Sequence, residues 1–364
     1  MFLQNPFPDA FGLEIGDLSI KLVQLKPAPF YSKNSFDVKE IREVKLPAGL
    51  IVDGEIQQPE LVRKKLLHIL GKDTSNKKYL PIKSPWVISN LPEVKTFLKI
   101  IKIELDPDDI GESDVLYQAQ KHLPFEKEEA YISWQIVNRE QSKDYAQILI
   151  GAVPKLIGDS CTYLLESVQL VPLVLEIEAI SIVRALITQN KDYTGEARAI
   201  LDLGATRSSL IIYDNNSIQF STSLNFSGEL INTAIKQSMK VDHQQAEEIK
   251  INNGVKFNKK NSKYLGAISK INNQLIKELE ASLDFYEEHF NNQNPINHIT
   301  MSGGMSQWTG LDNFISAKLK ISSHPGNVWK NLNNDKIEKQ NGSSLNMAGV
   351  LGLALRASQK PITL

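Results

Sequence analysis

Two stretches end an apolar run with an acid and, two positions later, a glycine: Glu14 and Gly16 in FGLEIGDLSIKLVQLK, and Asp202 and Gly204 in AILDLGATRSSLII. A glycine turn lets main-chain N–H groups face a phosphate, and a neighbouring carboxylate can order hydrated Mg²⁺. A single such turn reads equally as an ordinary hairpin. Two in matching context, facing each other across a cleft, can grip one nucleotide phosphate chain from both sides. A third element is ITMSGGMSQWTGL, where an apolar run opens into Ser302, Gly303 and Gly304 before a helix that begins near Gly310. Adjacent glycines admit a flat ring or a sugar close to the backbone, although a plain strand-to-helix loop has the same composition.

The elements that must position these residues repeat. Strands are expected at 12–15, 19–25 and 35–46, then a helix over 58–72 with Leu61, Leu66, Leu67 and Leu70 as its apolar stripe and Gly71 as its stop. From about 83 to 153 the pattern changes to strands at 84–91, 94–103, 130–138 and 145–153, with a helix at 109–122, which predicts an inserted α+β subdomain. A helix over 156–167 follows. The apolar VPLVLEIEAISIVRALI is interrupted by Glu176, Glu178 and Arg184, too costly in a bilayer, so it reads as buried core. The polar TQNKDYTGEAR marks the crossing between halves. The opening order then returns as strand, glycine turn, strand, Asn-Asn turn, strand and helix at a constant offset of 188 residues, from Glu14 to Asp202. Such self-similarity predicts two related α/β lobes.

Composition narrows the function. The 364 residues carry 41 basic against 42 acidic side chains with no dense basic run, which argues against a nucleic-acid footprint. The lone Cys161 excludes an internal disulfide framework, and the six histidines lack paired metal-ligand spacing. MFLQNPFPDAFG has neither the basic start nor the apolar run of a signal peptide, so a soluble cytoplasmic protein without a membrane span is expected.

Taken together, the three glycine motifs resemble the actin-like ATPase superfamily, which includes actin, chaperone ATPase domains, sugar kinases, FtsA and PilM. LPAGLIVDGEIQQPELV, QAQKHLPFEKEEAYISWQIV, GAVPKLIGDSCTYLLES, LEIEAISIVRAL, LDFYEEHF and MAGVLGLALRA each resemble segments of the type IV pilus assembly family PilM, in the expected order and over nearly the whole chain. The resemblance implies an actin-like (ribonuclease H-like) two-lobed α/β fold with an inserted α+β subdomain. The first lobe would span 1–194, with the insertion at about 83–153. The second would span 195–345, with a nucleoside-side subdomain at about 227–294, and a C-terminal helix at 346–364 would return to the first lobe.

ATP and Mg²⁺ are the implied cofactors. The phosphate loops fall on Glu14, Gly16, Asp17, Ser19 and Lys21 and on Gly204, Ala205 and Thr206. The adenosine side falls on Gly228, Glu229, Glu247, Lys250, Gly303, Gly304 and Met305, although a charge run such as Glu247 to Lys250 is ordinarily a solvated helix face. Glu14 and Asp202 would hold Mg²⁺ through water, and Glu178 with Asp202 would order its hydration shell or the attacking water. The family's first loop begins with aspartate and continues with small hydroxyl residues, whereas this chain has Glu14 and Asp17. An extra anion beside phosphate is repulsive unless Mg²⁺ or Lys21 compensates, so ATP binding with weak or no hydrolysis is expected.

The implied role is a component of the inner-membrane pilus assembly platform, recruiting partners under nucleotide control. The partner is the N-terminal cytoplasmic peptide of a PilN-like inner-membrane protein, held in a groove of the insertion that carries Trp86, Phe97 and Trp134, which would keep the chain peripheral to that membrane. The pilus motor ATPases are further implied partners, and self-association stays open. So do three alternatives: an FtsA-like filament protein, whose amphipathic membrane helix RASQKPITL does not supply; a small-molecule kinase of the same fold, which needs a dedicated base; and a scaffold that no longer binds nucleotide.

Overall fold

The computed structural model describes residues 5–359, apart from 30, 31, 33, 74, 76, 77, 138–143, 190, 257–260, 291, 292 and 334–343. The expected C-terminal segment therefore lies outside the described residues beyond 359.

In the first lobe, β1 (Phe11–Ile15), β2 (Ser19–Pro27) and β3 (Phe36–Lys45) form an antiparallel meander that sets Glu14 opposite Lys21. A two-strand hairpin, β4 (Ile51–Val52) and β5 (Glu55–Ile56), leads to α1 (Pro59–Ile69). This helix buries Val62, Leu66 and Ile69, while Leu61 of the expected stripe is exposed. Strand β6 (Trp86–Leu91) runs parallel to β1, pairing Phe11 with Val87. The sequence pattern groups β6 and Trp86 with the insertion. In the structure they belong to the first sheet, with β6 between β1 and the later strand Val171–Ile177 and the Trp86 ring 5.2 Å from Phe7.

The inserted elements are β7 (Phe97–Ile103), α2 (Glu112–Ala119), β8 (Ala130–Ile136) and β9 (Ala146–Pro154). Next come α3 (Lys155–Glu166), β10 (Val171–Ile177) and α4 (Glu178–Leu186), so the Glu-interrupted apolar segment is a strand feeding a helix.

The second lobe repeats the plan with β11 (Ala197–Leu203), β12 (Ser208–Asp214) and β13 (Ser217–Leu224), then α5 (Gly228–Met239), α6 (His243–Asn253) and α7 (Ser262–His289). It closes with β14 (Ile296–Ser302), α8 (Leu311–Leu319), β15 (Ser322–Pro325) and α9 (Ala348–Ser358). Strand order is β10-β6-β1-β2-β3 in one sheet and β15-β14-β11-β12-β13 in the other, the same arrangement twice. The register repeats too. Asp202 faces Ser209 as Glu14 faces Lys21, each shifted by 188 (14 to 202, 21 to 209).

The insertion is mounted on both lobes. Its strands extend the second sheet as β7-β9-β8 beyond β13, through the pairing of Phe220 with Lys99, whose ammonium lies 5.1 Å from the Phe285 ring centre. On its other side, the Tyr131 hydroxyl of β8 donates to Asp159 of α3 at 2.8 Å.

Helix α9 returns to the first lobe. Buried Glu176 accepts from Arg184 of α4 at 2.5 and 2.7 Å and also from Arg356 of α9, which fastens the two helices. Among the described residues no helix is long and apolar enough to cross a membrane.

Candidate functional site

The glycine turns close by the same bond. Gly16 N–H donates to the Ser19 carbonyl at 3.0 Å, and Gly204 N–H donates to the Arg207 carbonyl at 2.9 Å. A Cβ at Gly204 would stand 2.5 Å from that carbonyl oxygen, so the second turn needs its glycine. Both turns face one cleft of about 430 Å³, a size ordinary for small-ligand sites.

Of the residues singled out from sequence, Glu14, Gly16, Asp17, Ser19 and Lys21 line this cleft from the first lobe. Gly204, Ala205, Thr206, Asp202, Gly303 and Gly304 line it from the second, with Glu178 at the base of α4. Gly303 has a φ of +81°, and a Cβ there would stand 2.3 Å from the Leu203 carbonyl oxygen, so this glycine is required by the backbone itself. Gly304, by contrast, has nothing within 4 Å of an added Cβ.

Gly228, Glu229, Glu247, Lys250 and Met305 do not line the cleft but stand behind its second turn. Gly228 N–H donates to the Gly204 carbonyl at 3.2 Å and Glu229 N–H to the Ala205 carbonyl at 2.8 Å. The Lys250 ammonium and the Met305 sulfur each lie 3.3 Å from where a Gly228 Cβ would be. Lys250 is buried and donates to Glu247 at 2.6 Å, and Asn232 donates to the same carboxylate at 2.6 Å. The charge run is therefore an interior brace at Lys250 rather than a wholly solvated face.

Electrostatics separate the carboxylates. Glu14 Oε1 accepts from Lys21 Nζ at 2.5 Å, and Oε2 accepts the Val350 N–H at 2.8 Å, so both oxygens are engaged inside the first lobe. Burial acts to lower the Lys21 pKa, but Glu14 together with Glu43 and Glu178 outweighs it and the net shift is upward. Asp202 accepts from the Ser302 hydroxyl at 2.6 Å, yet burial still raises its pKa. Burial pushes Glu178 up to about 7, with Arg207 opposing and Glu14, Asp202 and Glu93 reinforcing the shift.

Ser302, expected at the opening of the third loop, is buried behind the cleft, where it holds Asp202. Glu93 and Arg207 line the cleft and escape the sequence reading: Glu93 stands at the entry to the insertion, and Arg207, within ATRSS, reaches Asp17 at 3.6 Å. Arg207 gave no signal, because a lone arginine in a turn is common.

The family model described as type IV pilus assembly protein PilM matches residues 12–358. The chain belongs to that family. Among solved structures it is similar to the "PilM-PilN type IV pilus biogenesis complex", with 23% identity, 97% of this chain and 100% of that chain covered, and a TM-score of 0.81. It is also similar to the ethanolamine utilization protein EutJ from Carboxydothermus hydrogenoformans, with 13% identity, 97% and 92% covered, and a TM-score of 0.53. MreB5 of Spiroplasma citri bound to AMPPNP shares 13% identity, with 95% of each chain covered and a TM-score of 0.51. None of the curated proteins compared matches the chain. The duplicated sheet and these neighbours make the fold actin-like, as the sequence led us to expect.

Proposed function

We propose that this member of the type IV pilus assembly family binds ATP with Mg²⁺ between its lobes and carries the N-terminal cytoplasmic peptide of a PilN-like inner-membrane protein. The nucleotide half is carried by the repeated turn: Gly16 and Gly204 close the same hydrogen bond on matching strands, and both turns line one cleft together with Gly303 and Gly304. AMPPNP in MreB5 supports a nucleotide of this class.

The residues present fit such a ligand. Among the described residues no group of three or more His, Cys, Asp or Glu side chains could hold a metal directly. Mg²⁺ ordinarily keeps several waters and takes one or two carboxylates beside substrate phosphates, so Asp202 and Glu178 suffice as its water-mediated partners. Bound Mg²⁺ would screen the phosphate charge in an acidic cleft. With both oxygens engaged elsewhere, Glu14 has a supporting role, holding Lys21 and the first turn of α9 in place. Gly303 and Gly304 admit the nucleoside, and the Glu229, Glu247 and Lys250 cluster braces the second turn from behind. Glu178 is the carboxylate placed to accept a proton from water, and a pKa raised to about 7 by burial suits that role at neutral pH.

The partner half rests on the PilM-PilN complex as a structural neighbour and on exposed Tyr131, Leu156 and Tyr163, where the insertion meets α3. Such a contact would hold the chain at the inner membrane through its partner. Because the insertion continues the second sheet yet touches α3 of the first lobe, a change in the cleft would shift this face, a route to nucleotide-dependent recruitment. Calorimetry tests both halves. Mg-ATP should bind, and a synthetic PilN-type N-terminal peptide should bind with an affinity that changes when Mg-ATP is present. No heat with millimolar Mg-ATP would leave a scaffold without nucleotide.

A further inference from the structure

Arg207, in the turn between β11 and β12, reaches out of the second lobe into the first. Its Nη2 lies 3.6 Å from Asp17 Oδ1, with the two side chains only 14% and 4% exposed. Asp17 sits in the opposite glycine turn and also accepts the Gly54 N–H at 3.1 Å. Arg207 Nη1 is buried with no hydrogen-bond partner among the described residues. A Cβ at Gly54 would stand 3.2 Å from that nitrogen, so the hairpin between β4 and β5 forms one wall of its pocket. A guanidinium offers five donors in a rigid fork, and a buried donor left unpaired is costly. Lys21 is already committed to Glu14 at 2.5 Å, whereas Arg207 holds its carboxylate loosely and has a donor to spare.

The fork matches phosphate oxygens, which offer more charge and better geometry than one carboxylate oxygen at 3.6 Å. We propose that Arg207 is an exchangeable latch: it ties the lobes through Asp17 when the cleft holds no nucleotide, and passes to a nucleotide phosphate when one binds. This rests on the nucleotide reading of the cleft. It also gives the buried Asp17 a purpose, as the counter-charge that parks the guanidinium. Glu93, Glu178 and Asp202 all feel the Arg207 charge, so its transfer would also alter the field on the carboxylates of the cleft.

The test compares the native chain with Asp17→Asn, Arg207→Gln and the double variant by titration with Mg-ATP and with magnesium pyrophosphate. Nitroxide labels at exposed Lys64 and Glu280 report the interlobe distance without ligand. Both single variants should broaden that distance distribution. Asp17→Asn should bind pyrophosphate about tenfold tighter and Arg207→Gln about tenfold weaker, the scale of one charged hydrogen bond. In the Arg207→Gln background the Asp17→Asn gain should largely vanish, and Arg207→Lys should fall between native and Gln. A gain that persists without Arg207 would show simple relief of repulsion and overturn the exchange, as would affinities unmoved in a native chain that binds. If the native chain binds neither ligand, the nucleotide reading falls and the exchange falls with it. An unchanged distance distribution in both variants overturns the latch.

Discussion

Lys21 meets Glu14 at 2.5 Å from the facing position on β2, and the other Glu14 oxygen takes the Val350 N–H at 2.8 Å, so one carboxylate joins β1, β2 and α9. Removing one partner of a buried pair strands the other charge. Lys21→Met should therefore destabilise the fold by about 3–5 kcal/mol, and adding Glu14→Gln, which keeps an acceptor for Val350, should restore most of the loss. The folded Lys21 pKa is raised, so the pair contributes fully below the unfolded value and fades only as pH rises through the folded one. Denaturant midpoints should consequently rank the variants alike at pH 6 and pH 8. A double variant no more stable than Lys21→Met would rule out a mutual pair.

Glu178 gives a pH signature of the same sign in a lower window. Its pKa is raised from 4.5 to about 7, so the folded chain holds a proton that the unfolded chain releases. That contribution is fully present below the unfolded value and is lost as pH rises through about 7. Glu178→Gln, neutral at every pH, should melt with the native chain near pH 4.5 and gain on it progressively until pH passes the folded value. A gap between the two melting curves that stays constant from pH 4.5 to pH 8.5 would mean that Glu178 does not titrate in this window.

Local features of this fold are legible in the sequence. The Gly16 and Gly204 turns and the Asn215-Asn216 hairpin, with φ of +49° and +58°, are set by residues within a few positions of one another. Long-range relationships are not. Strand β6 reads as part of the insertion because alternation does not name a partner, and its parallel pairing with β1 depends on a crossover. In α1, positions 62, 66 and 69 fit a helical face as well as the leucines do; packing chose Val62 over Leu61. The engagement of Glu14 is set 336 positions away at Val350, and Arg207 matters through Asp17 in the other lobe.

The adjacent glycines make opposite predictions. Gly303→Ala places a Cβ 2.3 Å from the Leu203 carbonyl at a φ of +81°, so the unliganded protein should lose several kcal/mol, of order 1–3 from the backbone conformation alone. Gly304→Leu projects into open space, so its unliganded melting temperature should stay near native. Mg-ATP at about 100 times its dissociation constant should stabilise the native chain by roughly 2.7 kcal/mol, and Gly304→Leu should lose that shift. An undiminished shift in Gly304→Leu would move the nucleoside away from this loop.

The partner face calls for point substitutions rather than excision of the insertion. Removing residues 97–154 would strip Phe220 and Phe285 of their Lys99 neighbour and open the core that holds Leu98, Val153 and Ile177. On α3, Leu156 and Tyr163 are seven positions apart and therefore share a helix face, 75% and 74% exposed, beside Tyr131 at 50%. Apolar anchors in the middle of an interface carry most of its energy, and truncating one typically costs about 2 kcal/mol or more. Leu156→Glu and Tyr163→Glu should each weaken capture of a PilN-type N-terminal peptide by about tenfold or more, while the Mg-ATP melting shift stays native because neither residue lines the cleft. Tyr131→Phe removes only the hydroxyl that reaches Asp159 and should leave peptide affinity near native but reduce its response to Mg-ATP. Calorimetry with the peptide, with and without nucleotide, reads all three. Full affinity in the Leu156→Glu, Tyr163→Glu double variant would take the partner off this face.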